Sequence, residues 1–203
     1  MGDTKKIRKK YQTPMHPYNK ERIEAERRYT RQYGLRNKKE LWRAESLLKG
    51  FKDQIKSFPS MPEDAARRQA EKLRARLIKY GLVEQETPLG EVLGLDTEAV
   101  LDRRLQTVVF KKGMARSINQ ARQFINHEHI TVNGRTVNAP SYLVTITDES
   151  RVEFHPSSQL ASESHPERAV EEKHDKPKPR PKKDVPEAEQ PEMVEPEEGV
   201  DDE

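Results

Sequence analysis

The strongest constraint on the fold is a capped helix that runs directly into a tight hairpin, in the stretch 115–137, ARSINQARQFINHEHITVNGRTV. Ser117 and Gln120 have the spacing of a capping box, which predicts that a helix begins here. Ile118, Ala121 and Ile125 recur at helical spacing and would form its buried face. The remaining faces carry amides, imidazoles and a guanidinium, so this helix would present many hydrogen-bond donors.

The hairpin follows within a few residues. Asn133 and Gly134 form the strongest short-range hairpin signal, because a type I′ turn needs positive φ at both central positions. A two-residue loop would pair Thr131 with Thr136, and both side chains would face outward. The segment 141–154 is predicted to add further short strands, with Tyr142, Val144 and Ile146 alternating.

Three longer helices are predicted upstream of this unit. The first begins at the N-cap residue Asn37, with Glu40 as its capping partner, and the second begins at Ser60. The third runs without interruption from Asp96 or the next residue to Gly113, whose type favours the conformation that closes a helix. The predicted fold is therefore α+β, an N-terminal helical domain followed by a small helix-helix-β-hairpin module.

Composition limits the kinds of protein that the chain can be. Only 32% of its residues are hydrophobic and 36% are charged, which favours small modules over one large core. The chain has no cysteine, so disulfides, thiolate chemistry and cysteine-ligated zinc are excluded. No apolar run approaches the length of a membrane span, and a soluble protein without membrane partners is expected.

The net charge of +3 hides a division along the chain. Residues 1–160 hold 31 Lys and Arg against 20 Asp and Glu, whereas residues 161–203 hold 7 against 15. This asymmetry suggests a polyanion partner. We predict a basic arm with a weak helix over 1–36, a helical domain over 37–98, the small helix-helix-β-hairpin module over 99–156 and a disordered acidic tail over 157–203.

The residues also carry a family resemblance. LDRRLQTVVFKKGMARSINQARQFINHEHITVNGRTVNAPSYLV looks like the RNA-binding module named for ribosomal protein S4. The upstream motifs TPMHPYNKERIE and YGLRNKKELWR resemble the archaeal and eukaryotic form of that ribosomal protein, and the short chain favours the archaeal type. The resemblance implies a cytoplasmic ribosomal protein that binds small-subunit ribosomal RNA directly, nucleates assembly of the subunit body and contributes to translational accuracy. Its implied protein partners include the neighbouring protein S5.

The resemblance also implies which residues face RNA. In the N-terminal half these are Arg36, Asn37, Lys38 and Arg43. In the module they are Arg103, Arg104, Lys111, Lys112, Arg116, Ser117, Gln120, Arg122, Gln123, His127, His129, Asn133, Gly134 and Arg135. Some bacterial members bind a metal through N-terminal cysteines that this chain lacks, so no metal and no cofactor are expected.

Three alternatives remain beside this interpretation. An RNA-modifying enzyme would need a catalytic domain that the other ordered segments are too short to form. A metal site at His127 and His129 would need further ligands at useful spacing, which are missing. A stand-alone RNA-binding factor would share the module but would lack the helical half with YGLRNKKELWR. Repression of its own messenger is a further role that the sequence leaves open.

Overall fold

The computed structural model describes residues 9–162 and 165–167, all of them within one compact unit. The N-terminal half consists of three α-helices, which are α1 (Lys20–Gln32), α2 (Lys38–Ser57) and α3 (Glu63–Lys79). The C-terminal half contains α4 (Thr97–Asp102), α5 (Leu105–Lys111), α6 (Ile118–Asn126) and α7 (Ile146–Glu149). Its strands are β1 (Ile130–Val132), β2 (Arg135–Thr136) and β3 (Val152–Phe154). The α+β prediction is confirmed.

Local capping signals place several helix starts where the sequence predicted them. The Asn37 side chain accepts a hydrogen bond from the backbone N–H of Glu40 at 3.2 Å and begins α2. Ser117 caps α6 in the same way through the N–H of Gln120, also at 3.2 Å. The weak helix of the basic arm is a full helix of 13 residues, because Asn19 caps α1 through the N–H of Arg22.

The three strands form one antiparallel sheet in the order β2-β1-β3. Asn133 and Gly134 have φ values of 53° and 74°, and Thr131 pairs with Thr136, so the predicted hairpin and its register are confirmed. The outward orientation predicted for Thr131 is wrong. Thr131 is buried, and its hydroxyl donates to the carbonyl of Glu153, its partner residue on β3, at 3.2 Å.

The predicted third helix is two helices, and the prediction of continuity is wrong. The N–H of Leu105 donates to the Tyr142 carbonyl at 2.7 Å, and the N–H of Val144 donates to the Arg103 carbonyl at 2.9 Å. These bonds pair the chain between α4 and α5 with the segment after the hairpin, so helical bonding stops there. The further strands predicted over 141–146 reduce to this isolated bridge, and Ile146 begins α7.

The start predicted for the second upstream helix is also wrong. Helix α3 begins at Glu63, behind Pro62, with no side-chain cap. The Ser60 hydroxyl instead donates to the Ser57 carbonyl at 2.8 Å, within the short 3-10 turn that follows α2.

Three apolar clusters form the core. The first lies inside the C-terminal half, where α5, α6 and the sheet meet and where Leu160 also packs. The second joins the two halves, since Leu41 and Leu48 of α2 pack with Val100 and Leu101 of α4. The third holds α3 against the end of α2.

The predicted boundaries at the chain ends are only partly covered by the described residues. Leu160 is buried, so ordered structure continues into the start of the segment predicted as a tail. Residues 1–8 of the basic arm and most of the predicted disordered tail, residues 163–164 and 168–203, lie outside the described residues. None of the helices in the described part of the chain combines the length and the apolar character that a membrane crossing requires.

Candidate nucleic-acid interface

The start of α6 gathers several of the predicted RNA-binding side chains. Ser117 is exposed and uses its hydroxyl oxygen to cap the helix. Gln120 uses Oε1 to accept the N–H of Arg116 at 2.7 Å, one residue earlier than a standard capping box would have it. The first turn of α6 is thus held by side chains that are themselves at the surface. Its positive dipole end would favour an anion there.

The loop that precedes α2 packs against this same helix start. Gly34 has a φ of +57°, and a Cβ placed on it would lie 2.8 Å from both the Gln106 Nε2 and the Ile118 Cγ2 atoms. Only a residue without a side chain fits so close. The contact holds the exposed Arg36 and Asn37, which follow in the chain, near the α6 N-terminus.

Two of the predicted RNA-binding arginines are instead paired with a carboxylate inside the molecule. Nη2 of Arg104 lies 2.6 Å from Glu40 Oε2, and Nη2 of Arg122 lies 2.7 Å from Glu40 Oε1. Arg104 is only 4% exposed, and Arg122 also donates to the Oε1 atom of Gln106 at 3.3 Å. A buried guanidinium cannot reach phosphate, so the prediction that Arg104 faces RNA does not fit the structure.

The electrostatics of Glu40 follow from these contacts. Burial alone would raise the pKa of its carboxyl group, but hydrogen bonds from Arg122 and Arg104, together with their positive charges, outweigh burial. The pKa of Glu40 therefore lies below its ordinary value. The carboxylate stays charged and joins the N-terminal half to the C-terminal half.

Other predicted cations also have partners within the chain. Lys38 lies 2.9 Å from the buried carboxylate of Glu26, and the partly buried Arg103 lies 2.8 Å from the more exposed carboxylate of Glu149. Lys111 pairs with Asp102 at 3.0 Å, but both side chains are exposed and such pairs are weak. Lys111 can therefore exchange its partner for a phosphate, whereas Lys38 and Arg103 are held more firmly.

The remaining predicted residues lie at the surface. Exposed cationic side chains are Arg36, Arg43, Lys111, Lys112, Arg116 and Arg135. The other exposed residues of this set are Asn37, Ser117, Gln123, His127, Asn133 and Gly134. Among the residues that the structure describes, Arg36, Arg43 and Arg135 have no carboxylate within ion-pair distance.

The hairpin tip is held by a residue that the sequence did not single out. Arg151 donates through Nη1 to the Asn133 side-chain oxygen at 3.0 Å, and its carbonyl accepts the Asn133 N–H at 3.1 Å. Arg151 therefore fixes the orientation of the Asn133 side-chain amide. Arg135, two residues later, lies on the edge strand β2.

The histidines line a cleft at the other end of α6. The rings of His127 and His129 are 6.2 Å apart, and Ser158 Oγ lies 2.9 Å from His129 Nδ1. His155 and His165 complete the rim of this cleft, whose volume is about 510 Å³. Burial, and then the proximity of His127, lower the pKa of His129. Within the described ranges, histidines and carboxylates nowhere gather in threes that could hold a metal ion.

A second cationic cluster was missed by the sequence analysis. Arg27, Arg28 and Arg31 lie together on the exposed side of α1, where they border a shallow depression. Arg27 and Arg28 precede Arg31 by four and three residues, so both are its neighbours on the helix surface. This spacing in the sequence would have predicted the cluster. The opposite side of α1 buries Glu26, which accepts a hydrogen bond from Trp42 Nε1 at 3.0 Å.

Comparisons with known proteins give a consistent picture. A family model described as the S4 domain matches residues 103–150. The small ribosomal subunit protein uS4 of Methanococcus maripaludis (strain C6) is 48% identical over 171 residues, which cover 84% of this chain and 96% of that protein. The proteins of the same name from Methanococcus aeolicus and Methanococcus vannielii are 47% and 45% identical, over 83% and 84% of this chain and 96% of each relative.

Proposed function

Because the chain belongs to the uS4 family of small ribosomal subunit proteins, we propose that the exposed surface around α5, α6 and the hairpin binds small-subunit ribosomal RNA. We call this surface the α6 surface. Its residues are Lys111, Lys112, Arg116, Ser117, Gln120, Gln123, His127, His129, Asn133, Gly134 and Arg135. A member of this family is a structural component of the ribosome, not an enzyme.

The observation that carries the proposal is the division of α6 into two faces. Ala121, Phe124 and Ile125 are buried against the core, while Ser117 and Gln123 are exposed on the other side. Exposed lysines stand at the end of α5, and α5 packs against α6. Cations suit phosphate oxygens, and amides and hydroxyls suit the 2′-hydroxyl groups and base edges that RNA presents.

Arg104 and Arg122 act on RNA indirectly in this proposal. Their pairing with Glu40 fixes the position of α6 relative to α2, so the donors of the α6 surface are held in place before RNA arrives. Preorganisation of this kind lowers the entropy cost of binding.

The arginines of α1 support a role in subunit assembly. Arg27, Arg28 and Arg31 belong to the same compact unit as the α6 surface, so one protein molecule can bind two separate stretches of RNA. Joining distant RNA segments is the physical basis of assembly nucleation. We extend the proposal to that role, to translational accuracy and to contact with protein S5, which are implied by the family resemblance.

The proposal is tested by titrating the protein with the 5′ domain of its own small-subunit ribosomal RNA. The titration is repeated across a salt series with excess transfer RNA as competitor. We expect tight binding that survives the competitor, with affinity falling steeply as salt rises because phosphate contacts release counterions. If transfer RNA abolishes the binding, the proposal is wrong. That result would favour a stand-alone factor whose basic surface binds any RNA through charge.

A matched pair of variants locates the binding surface. The double change Lys111→Gln and Lys112→Gln should reduce the slope of log affinity against log salt by about 1.5, because two phosphate contacts are lost. The control Arg67→Gln and Arg68→Gln removes the same charge from α3. An equal loss in both variants would contradict the assignment to the α6 surface.

A further inference from the structure

The start of α6 is covered by a short segment from the C-terminal part of the same chain. The guanidinium of Arg116 donates to the carbonyl of Pro166. Nε2 of Gln120 donates to the Glu167 carbonyl at 3.1 Å and to the Glu167 carboxylate at 3.0 Å. A hydrogen bond of 3.1 Å from the N–H of Glu167 to His165 Nδ1 closes the turn. The docked segment is residues 165–167.

The oxygen atoms of the docked segment resemble those of a nucleic-acid backbone. A carboxylate and two carbonyl groups face one guanidinium and one amide at the positive end of a helix. The phosphate and ribose oxygens of RNA would accept hydrogen bonds from the same guanidinium and amide groups. RNA and the docked segment therefore cannot both satisfy Arg116 and Gln120.

The segment is also well placed to remain near this site. Leu160 is buried in the core of the C-terminal half, only a few residues before the docked segment. A connection this short keeps the segment at a high effective concentration beside α6. The contacts themselves are exposed, so each is weak and can be displaced by a ligand that makes many contacts.

We propose that the docked segment is an intramolecular competitor of RNA, an inference that rests on the proposed function of the α6 surface. RNA must displace residues 165–167 before it reaches Arg116 and Gln120, and its apparent affinity falls by the fraction of molecules in which the segment is undocked. The fold reduction is the same for every RNA that needs this site. Cognate RNA, with many other contacts, keeps tight binding despite this reduction, whereas the already weak binding of RNA that depends mainly on the start of α6 becomes weaker still.

The test compares two charge reversals in the full-length chain. Glu167→Lys removes the side-chain acceptor of Gln120 and places a cation beside Arg116. Glu71→Lys makes the same charge change on the exposed side of α3. We expect Glu167→Lys to raise affinity for polyuridylate about threefold to fivefold more than Glu71→Lys does, from the undocking of a weakly held segment. Equal gains would show an effect of net charge alone and would overturn the inference.

A second measurement needs no RNA. The N–H of Arg116 is held by the Gln120 side chain, which the docked segment in turn holds. In the free protein, Glu167→Lys should therefore raise the hydrogen-exchange rate of the Arg116 amide, whereas Glu71→Lys should not. Unchanged exchange in both variants would overturn the docking.

The two proposals fail in distinguishable ways. If the wild-type chain shows no preference for ribosomal RNA over transfer RNA, the proposed function is wrong. If the wild-type chain keeps that preference and Glu167→Lys behaves like Glu71→Lys, only the competition by the docked segment is wrong. Replacing Gln120 with Ala supplies a further check, since the effect of Glu167→Lys should shrink once its contact is gone.

Discussion

The Oε1 atom of Glu40 lies 2.7 Å from Nη2 of Arg122, although 82 positions separate the two residues in the chain. The second oxygen of the same carboxylate pairs with Arg104 at 2.6 Å. One acidic side chain of α2 thus holds both α6 and the junction before α5. The predicted helical domain and the predicted RNA-binding module are joined by this charge network as well as by shared apolar packing.

The first prediction concerns the loss of that negative charge. Replacing Glu40 with Gln keeps the shape of the side chain but leaves two largely buried guanidinium groups without a counter-charge. We expect the free energy of unfolding to fall by about 3 kcal/mol, as when one partner of a buried ion pair is removed. Urea denaturation of the two proteins measures the difference.

The control for this prediction is Glu63→Gln. Glu63 pairs with Arg67 at 2.5 Å, but both side chains are more than 70% exposed. Such a pair contributes little, so the control should change stability by less than about 0.5 kcal/mol. Equal losses at Glu40 and Glu63 would show that burial does not strengthen the Glu40 network.

The second prediction concerns acid. The two arginines hold the pKa of Glu40 below its ordinary value of 4.5, so the folded chain binds the proton at this site more weakly than the unfolded chain. The stability that Glu40 contributes is therefore fully present well above pH 4.5 and is lost as pH falls through the lowered pKa. The difference in unfolding free energy between the wild type and Glu40→Gln should be constant near neutrality and shrink below about pH 4.5. A difference that stays constant down to pH 3 would contradict this origin.

The features that sequence analysis predicted correctly depend on neighbours in the chain. Asn37 and Ser117 cap helices through N–H groups three residues away, and the turn at Asn133 and Gly134 depends on the φ preferences of those two residues. Each of these interactions closes within a few positions, so the residue types alone identify it.

The features that it missed depend on distant parts of the chain. Arg104 looks like an ordinary surface cation, and only the fold brings it to Glu40, 64 positions away. The helix predicted to continue to Gly113 is broken by backbone bonds from a segment nearly 40 residues later. The hydroxyl of the buried Thr131 bonds to the Glu153 carbonyl of β3, 22 positions later in the chain. Periodicity does not contain this information.

The third prediction separates folding from RNA binding. Arg104→Met removes a buried hydrogen bond to a carboxylate and should lower the unfolding free energy by about 2 kcal/mol. At a temperature where the variant remains folded, its affinity for ribosomal RNA should fall only modestly, through a less firmly positioned α6, and its salt slope should equal that of the wild type because no phosphate contact is lost. Arg135→Gln should do the reverse, keeping stability while it reduces the salt slope of RNA binding by about 1. Urea denaturation and filter binding on both variants test the assignment, and a large loss of RNA affinity with Arg104→Met alone would contradict it.

The last prediction isolates the backbone strain of the hairpin turn. A Cβ added at Gly134 or at Gly90 would meet no other atom within 4 Å, but only Gly134 has a positive φ, of +74°. Gly134→Ala should therefore cost about 1 kcal/mol of stability from the left-handed conformation alone, whereas Gly90→Ala should cost nothing or stabilise slightly. Urea denaturation gives the two free energies. Amide exchange at Val137, whose N–H bonds to the Ile130 carbonyl at 3.4 Å, reports whether the strands separate locally. If both alanine variants are equally stable and exchange at Val137 is unchanged, the turn does not depend on glycine.

Because the turn positions Arg135, Gly134→Ala should also weaken RNA binding through the α6 surface, while Gly90→Ala should leave it unchanged.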